Sequence, residues 1–181
     1  MAGDGILLVG MVGQGVFRTG DGGVTWKRLG NDDGMHQNAM VRALVADPRN
    51  PDIVFCGCDK GIYRSIDRGR TWRISDSSVT DKQIWCIAID AVDPDIMFAG
   101  TGCPDVPAIF RSRDGGQSWQ QRPMEASPNC AIGIPQTTCI VVDPTNHNSV
   151  WVGIEVDGLR HSTDGGETFR TVTNQEANGQ G

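Results

Sequence analysis

Much is scarce in this 181-residue chain, and each scarcity removes a class of protein. No apolar run approaches the roughly 18 residues of a membrane-spanning helix. Basic clusters are missing too. Sixteen Lys and Arg stand against 22 Asp and Glu, a formal charge of −6, with no positive run. Nucleic-acid and anionic-membrane binding, which depend on clustered positive charge, are therefore not expected. No window shows a convincing helical period. No Asn-x-Ser/Thr sequon and no Gly-x-Ser-x-Gly elbow occur.

Metal and cofactor signatures are equally thin. Six cysteines stand at 56, 58, 86, 103, 130 and 139, without a CxxC pair. Cys56, Cys86 and Cys139 fall inside apolar strand patterns, where a thiol behaves as a small hydrophobe. The expectation is a reduced, cytoplasmic protein. Histidines 36, 147 and 161 share no metal-ligand spacing, so no metal is expected. Gly10-Met11-Val12-Gly13-Gln14-Gly15 superficially matches a phosphate loop, but no helix follows, and no cofactor is expected. The apolar start Ile6-Leu7-Leu8-Val9 has Asp4, not Lys or Arg, before it, and reads as a strand rather than a leader.

What is abundant is glycine, 24 residues with nine prolines, as in many short strands joined by turns. The glycines follow a period. Arg111-Ser112-Arg113-Asp114-Gly115-Gly116-Gln117-Ser118-Trp119 has counterparts beginning at Arg18, Arg64 and His161. Their aspartates, 21, 67, 114 and 164, lie 46, 47 and 50 residues apart. A second landmark keeps the same beat: Asp47, Asp90 and Asp143 are each followed ten residues later by a glycine, at 57, 100 and 153. Residues 41–74 divide into four strands, and the same division fits 84–121 and 137–172. Ile6 to Gly10 aligns with a second strand, so the first unit, about 5–29, lacks its innermost strand. Residues 173–181 lack a strand pattern and read as an irregular tail. Four short strands repeated every ~45 residues are the signature of a propeller blade.

Reduced to Ser/Thr-x-Asp-x-Gly-x-Ser/Thr-Trp/Phe, the nonapeptide resembles the Asp-box (BNR) repeat of sialidases, xyloglucan-active glycosidases, sortilin-type receptors and photosystem-assembly propellers. The residue types suit a self-capped turn. Asp and Ser/Thr accept backbone N–H groups, Gly takes a positive φ, and the aromatic ring is buried on the sheet. The resemblance implies an all-β propeller with four-stranded blades carrying Asp-box turns, about 3.75 blades of it here. It also implies the N-terminal half of a longer propeller, with a two-chain closed ring as the alternative. An open half-ring is expected to self-associate.

In the propellers it resembles, the boxes lie opposite the ligand face. That assigns ligand contacts to the loops 10–15, 57–61, 100–108 and 153–158 and to the linkers 30–40, 75–83 and 122–136. Those segments carry His36, Glu155 and Asp157 among several acids. Arg42 and Trp85 stand five residues before Asp47 and Asp90, at a variable position near the predicted channel mouth. Arg160 breaks the repeat, replacing the aromatic of Phe17, Tyr63 and Phe110, with Glu155 and Asp157 as the nearest acids in sequence. A complete sialidase site is not expected, since Tyr63 is a core position and Ile134-Pro135 follows Gly133, not Arg. No catalytic residue is singled out. The expected function is recognition of a glycan or protein segment, with a glycoside hydrolase as the alternative.

Overall fold

The computed structural model describes residues 5–75, 78–127 and 130–172. The expected tail, 173–181, lies outside the described residues. Among the described residues, fifteen strands form four antiparallel meanders, with one 3-10 turn at Asn31–Asp33. The first sheet contains β1 (Leu7–Met11), β2 (Gly15–Thr19) and β3 (Lys27–Arg28). The second contains β4 (Ala43–Ala46), β5 (Val54–Cys58), β6 (Gly61–Ser65) and β7 (Arg73–Ile74). The third contains β8 (Ile84–Ile89), β9 (Met97–Thr101), β10 (Ile109–Ser112) and β11 (Gln120–Arg122). The fourth contains β12 (Thr137–Asp143), β13 (Asn146–Ile154), β14 (Gly158–Ser162) and β15 (Arg170–Thr171). The first strands β4, β8 and β12 pack on one another in succession, as in a β-propeller.

Strand side chains alternate between faces, and in the second and third blades both faces are apolar because each packs against two neighbours. Three cores result, each shared by consecutive blades. The first joins Val16 and Leu29 to Val54, Cys56 and Trp72. In the second, Phe55 and Ile62 meet Met97, Ala99 and Trp119. In the third, Phe98 and Ile109 meet Val150, Val152 and Phe169.

Two glycine positions allow this approach. The strand-end glycines Gly10, Gly57 and Gly100 lie against the next blade, and a Cβ there would come within 2.3, 2.6 and 2.4 Å of Val41, Ile84 and Thr137. The box glycines Gly69, Gly116 and Gly166 combine a positive φ with a seat on the preceding blade. Their added Cβ would lie 2.8, 2.6 and 2.2 Å from Leu8, Phe55 and Phe98.

Each box caps itself. In the second, Ser65 Oγ donates to Asp67 Oδ1 (2.8 Å) and accepts from the Gly69 N–H (2.9 Å). Asp67 also accepts from the Thr71 N–H (2.9 Å) and hydroxyl (2.7 Å). The other three boxes repeat the carboxylate-to-hydroxyl bonds through Asp21, Asp114 and Asp164. Burial pushes the Asp67 carboxyl up, but these donors outweigh it and hold it at about 2. The Thr19 and Thr25 donors likewise hold Asp21 low.

Two expectations need correction, one on the box aromatics and one on Cys139. The box aromatics Trp72, Trp119 and Phe169 are buried, but Trp26 is 43% exposed. Trp151 is also exposed, although it occupies the buried position of Phe55 and Phe98. Cys139 is exposed, unlike the buried Cys56 and Cys86. The cause is common to all three: these side chains point across blade interfaces, and they lie on the outer flanks of the first and fourth blades.

Trp72→Ala should cost about 3–5 kcal/mol, as for a large ring lost from a core. Trp26→Ala should cost well under half as much, as read by urea unfolding. The box aspartates also set an acid limit. A carboxyl held low when folded favours the ionised native state, so its stabilisation is complete above the ordinary value of 3.8 and is lost toward about 2. Asp67→Asn should therefore flatten the loss of melting temperature between roughly pH 4 and pH 2.

Candidate functional site at the loop end

In an antiparallel meander, the connections between strands one and two and between strands three and four leave at one end. Those between strands two and three, and between blades, leave at the other. The boxes join third to fourth strands, so the loops 57–61, 100–108 and 153–158 and the interblade linkers lie opposite them.

Three acids at the loop end are latches. Asp59 Oδ1 accepts the Met40 N–H (2.8 Å), and Asp105 Oδ2 accepts the Gln83 N–H (2.8 Å). Asp157 accepts the Ser127 N–H (2.9 Å) and hydroxyl (2.8 Å). In each case a turn between the second and third strands holds the linker that enters its own blade. Their distances to the following strand differ, which hides the equivalence in the sequence.

Arg160 belongs to the third latch. Its side chain is buried, with Nη2 on Asp157 Oδ2 (2.6 Å), Nη1 on the Asp157 carbonyl (2.7 Å) and Nε on the Glu125 carbonyl (2.7 Å). The expected pairing with Asp157 is present, and Glu155 stands outside it. Burial raises the Asp157 carboxyl, but the Ser127 donors and the Arg160 charge outweigh that and hold it low. All three guanidinium nitrogens thus point at protein acceptors.

Arg42 and Trp85 come together. The Arg42 guanidinium carbon lies 3.9 Å from the Trp85 ring centroid, joining the second blade to the third. Trp85 is the extra residue of a β-bulge, since β8 pairs Ile84 with Thr101 and Cys86 with Gly100. Thr138 occupies the matching bulge in β12. A bulge turns its extra side chain out of the ladder, and bulges often flank functional sites. Arg42 is exposed and Trp85 half-buried. The Trp85 indole N–H and Glu155 Oε2 are buried with no hydrogen-bond partner among the described residues. Glu155 lies at the same end, its N–H bonded to the Gln136 carbonyl (2.9 Å). His36 is exposed on the first linker.

The box end carries a cluster that sequence reading missed. Glu167 meets Arg111 (2.8 Å), Arg122 (3.0 Å) and Arg113, clamping the third blade to the fourth. An apolar cleft of about 450 Å³ also opens there between Leu8 of β1 and Leu44 of β4. Among the described residues β1 pairs only with β2, so the cleft borders an unpaired edge.

Comparison with known proteins agrees with this architecture. The family model described as the BNR/Asp-box repeat matches residues 110–121. A xyloglucanase of Hypocrea jecorina (strain QM6a) is 27% identical over 172 residues, covering 86% of this chain and 20% of the relative. The chain thus spans about a fifth of that relative's length. The crystal structure of an ancestral GH74 enzyme superposes with a TM-score of 0.77 at 22% identity, over 93% of this chain and 22% of the other. The GH74 enzyme of Niastella koreensis superposes at 0.69 and 19% identity, over 93% and 28% of the two chains. At these identities the structural likenesses establish the fold.

Arg160→Met should lower the melting temperature by several degrees, because it leaves Asp157 and two carbonyls without their donor. Thermal unfolding followed by circular dichroism checks this. A change below about one degree would contradict the latch assignment.

Proposed function

We propose that this chain, a run of blades from the Asp-box repeat propeller superfamily, recognises a glycan at its loop end, on the platform formed by Trp85 and Arg42. The observation that carries the reading is the 3.9 Å stack of Arg42 on an indole set at a β-bulge. An indole offers an apolar face to the C–H surface of a sugar ring. Arg42, exposed beside it, supplies donors in a fixed plane. Glu155, with an unpartnered oxygen, adds an acceptor at the same end. The matched relative, named a xyloglucanase, favours a glycan over a protein segment as the ligand.

A binding role is favoured over hydrolysis by the state of the acids. Glycoside cleavage needs two carboxyl groups facing one bond, about 5 to 9.5 Å apart. Asp59, Asp105 and Asp157 are each held by a linker N–H, which favours a framework role for these three.

Titration with xyloglucan oligosaccharides, followed by tryptophan fluorescence, tests the proposal. Saturable binding is expected. Trp85→Ala should weaken it at least tenfold, or about 1.4 kcal/mol, and Arg42→Ala by a smaller factor. Arg160→Met should leave it unchanged in the folded fraction. Release of new reducing ends during the titration would favour the hydrolase reading instead.

A further inference from the structure

Arg18, Arg64 and Arg111 open their boxes at the same repeat position, and each stands at an interface with the next blade. Arg64 and Arg111 sit alike. Their guanidinium carbons lie 5.9 and 5.8 Å from the ring centroids of Phe55 and Phe98, the rings on which Gly116 and Gly166 rest. At the third interface the residue after that glycine is Glu167, which accepts from Arg111 Nη1 (2.8 Å) and Arg122 Nη1 (3.0 Å). Its counterpart at the first interface is Arg70, and there the Arg68 carbonyl accepts from Arg18 Nε (2.9 Å) instead. At the second interface the counterpart is Gln117, whose amide turns back to the Asp114 carbonyl of its own box (2.9 Å).

Arg64 therefore faces a neutral side chain where Arg111 meets a carboxylate. No described residue forms a hydrogen bond or ion pair with the Arg64 side chain, and its Nε is buried. Arg111 Nε is unpartnered as well, but the Nη1 of the same group holds Glu167. Arg73, directly opposite Arg64 in the register of β6 and β7, also has no such partner among the described residues. Like charges opposite one another on adjacent strands are unfavourable. The first blade sets Arg18 opposite Lys27, but Lys27 is paired with Asp33 (2.6 Å). In the third blade the residue opposite Arg111 is the neutral Gln120. A cleft of about 380 Å³ opens beside Arg64, Arg73 and Gln117. The exposed Ile66 and Ile74 line it too, Ile66 standing where the third blade has Arg113.

We propose that this cleft, at the end opposite Trp85, binds a small organic carboxylate with an apolar body. The carboxylate takes the place that Glu167 fills at the next interface, accepting from Arg64 and Arg73, while Ile66 and Ile74 cover the body. The planar fork of a guanidinium matches a carboxylate, and a bound anion relieves the repulsion between the two cations. A cleft of this volume is within the usual range of small-molecule sites.

Titrating the full chain with benzoate in low-salt buffer, followed by amide chemical shifts, tests this. Saturable shifts clustered at Arg73, Gly116 and Gln117 are expected, with none from the neutral benzamide. Arg73→Gln, a change at an exposed side chain, should weaken binding at least fivefold. Gln117→Glu should abolish the response and raise the melting temperature, because it supplies the carboxylate from within, as Glu167 does. An equal response to benzamide or to inorganic phosphate would overturn the proposal. So would the lack of a saturable response, undiminished affinity in Arg73→Gln, or benzoate binding retained in Gln117→Glu.

Discussion

The contact on which the structure depends is a glycine resting on a side chain of the preceding blade. At Gly166 the backbone comes so close to Phe98 that a Cβ would lie 2.2 Å from the ring, and Gly116 repeats this on Phe55. Such closeness lets neighbouring sheets share one packed core rather than build one each. Short blades have little interior of their own, and their apolar surface must be covered by the next in line. The box aspartate serves this contact indirectly. By capping its own turn, it fixes the glycine and the following aromatic in the positions the neighbouring blade requires.

A scaffold held together at one end by boxes leaves the other end free to vary. There the chain uses a second device, an acid that holds the linker entering its own blade. Asp59, Asp105 and Asp157 thus serve the framework of that face. Among the side chains that the latches do not use are Trp85 on its bulge, Arg42 stacked on it, and Glu155. The proposed recognition platform accordingly stands where successive first strands begin.

The repeat made the fold legible in the sequence. Periodic aspartates and glycines located the boxes, and alternation placed Phe17, Tyr63, Phe110 and Arg160 at one position on the third strands. The pairing of Arg160 with Asp157 was legible too, since the two lie three residues apart. Less legible was anything that depends on a neighbouring blade. Trp26 and Trp151 share their repeat positions with buried residues, and only the absence of an adjoining blade among the described residues exposes them. The latches were hidden because a loop acid and the N–H it holds are about 19 to 30 residues apart. The stack of Arg42 on Trp85 was foreshadowed by their shared place in the repeat, but the bulge that presents the indole leaves no mark in composition.

Substitution at two glycines of the fourth blade tests the central contact most directly. Gly158 and Gly166 have nearly the same backbone, with φ of 82° and 83°. A Cβ at Gly158 meets nothing within 4 Å, whereas one at Gly166 strikes the buried Phe98 ring. Alanine at either position carries the conformational cost of a positive φ, about 1 kcal/mol. Only at Gly166 does it also force two blades apart. Urea unfolding should therefore show Gly166→Ala losing at least about 2 kcal/mol more than Gly158→Ala, in line with overpacking of a tight core. Equal losses at the two positions would contradict the claim that glycine-on-ring contact holds successive blades together.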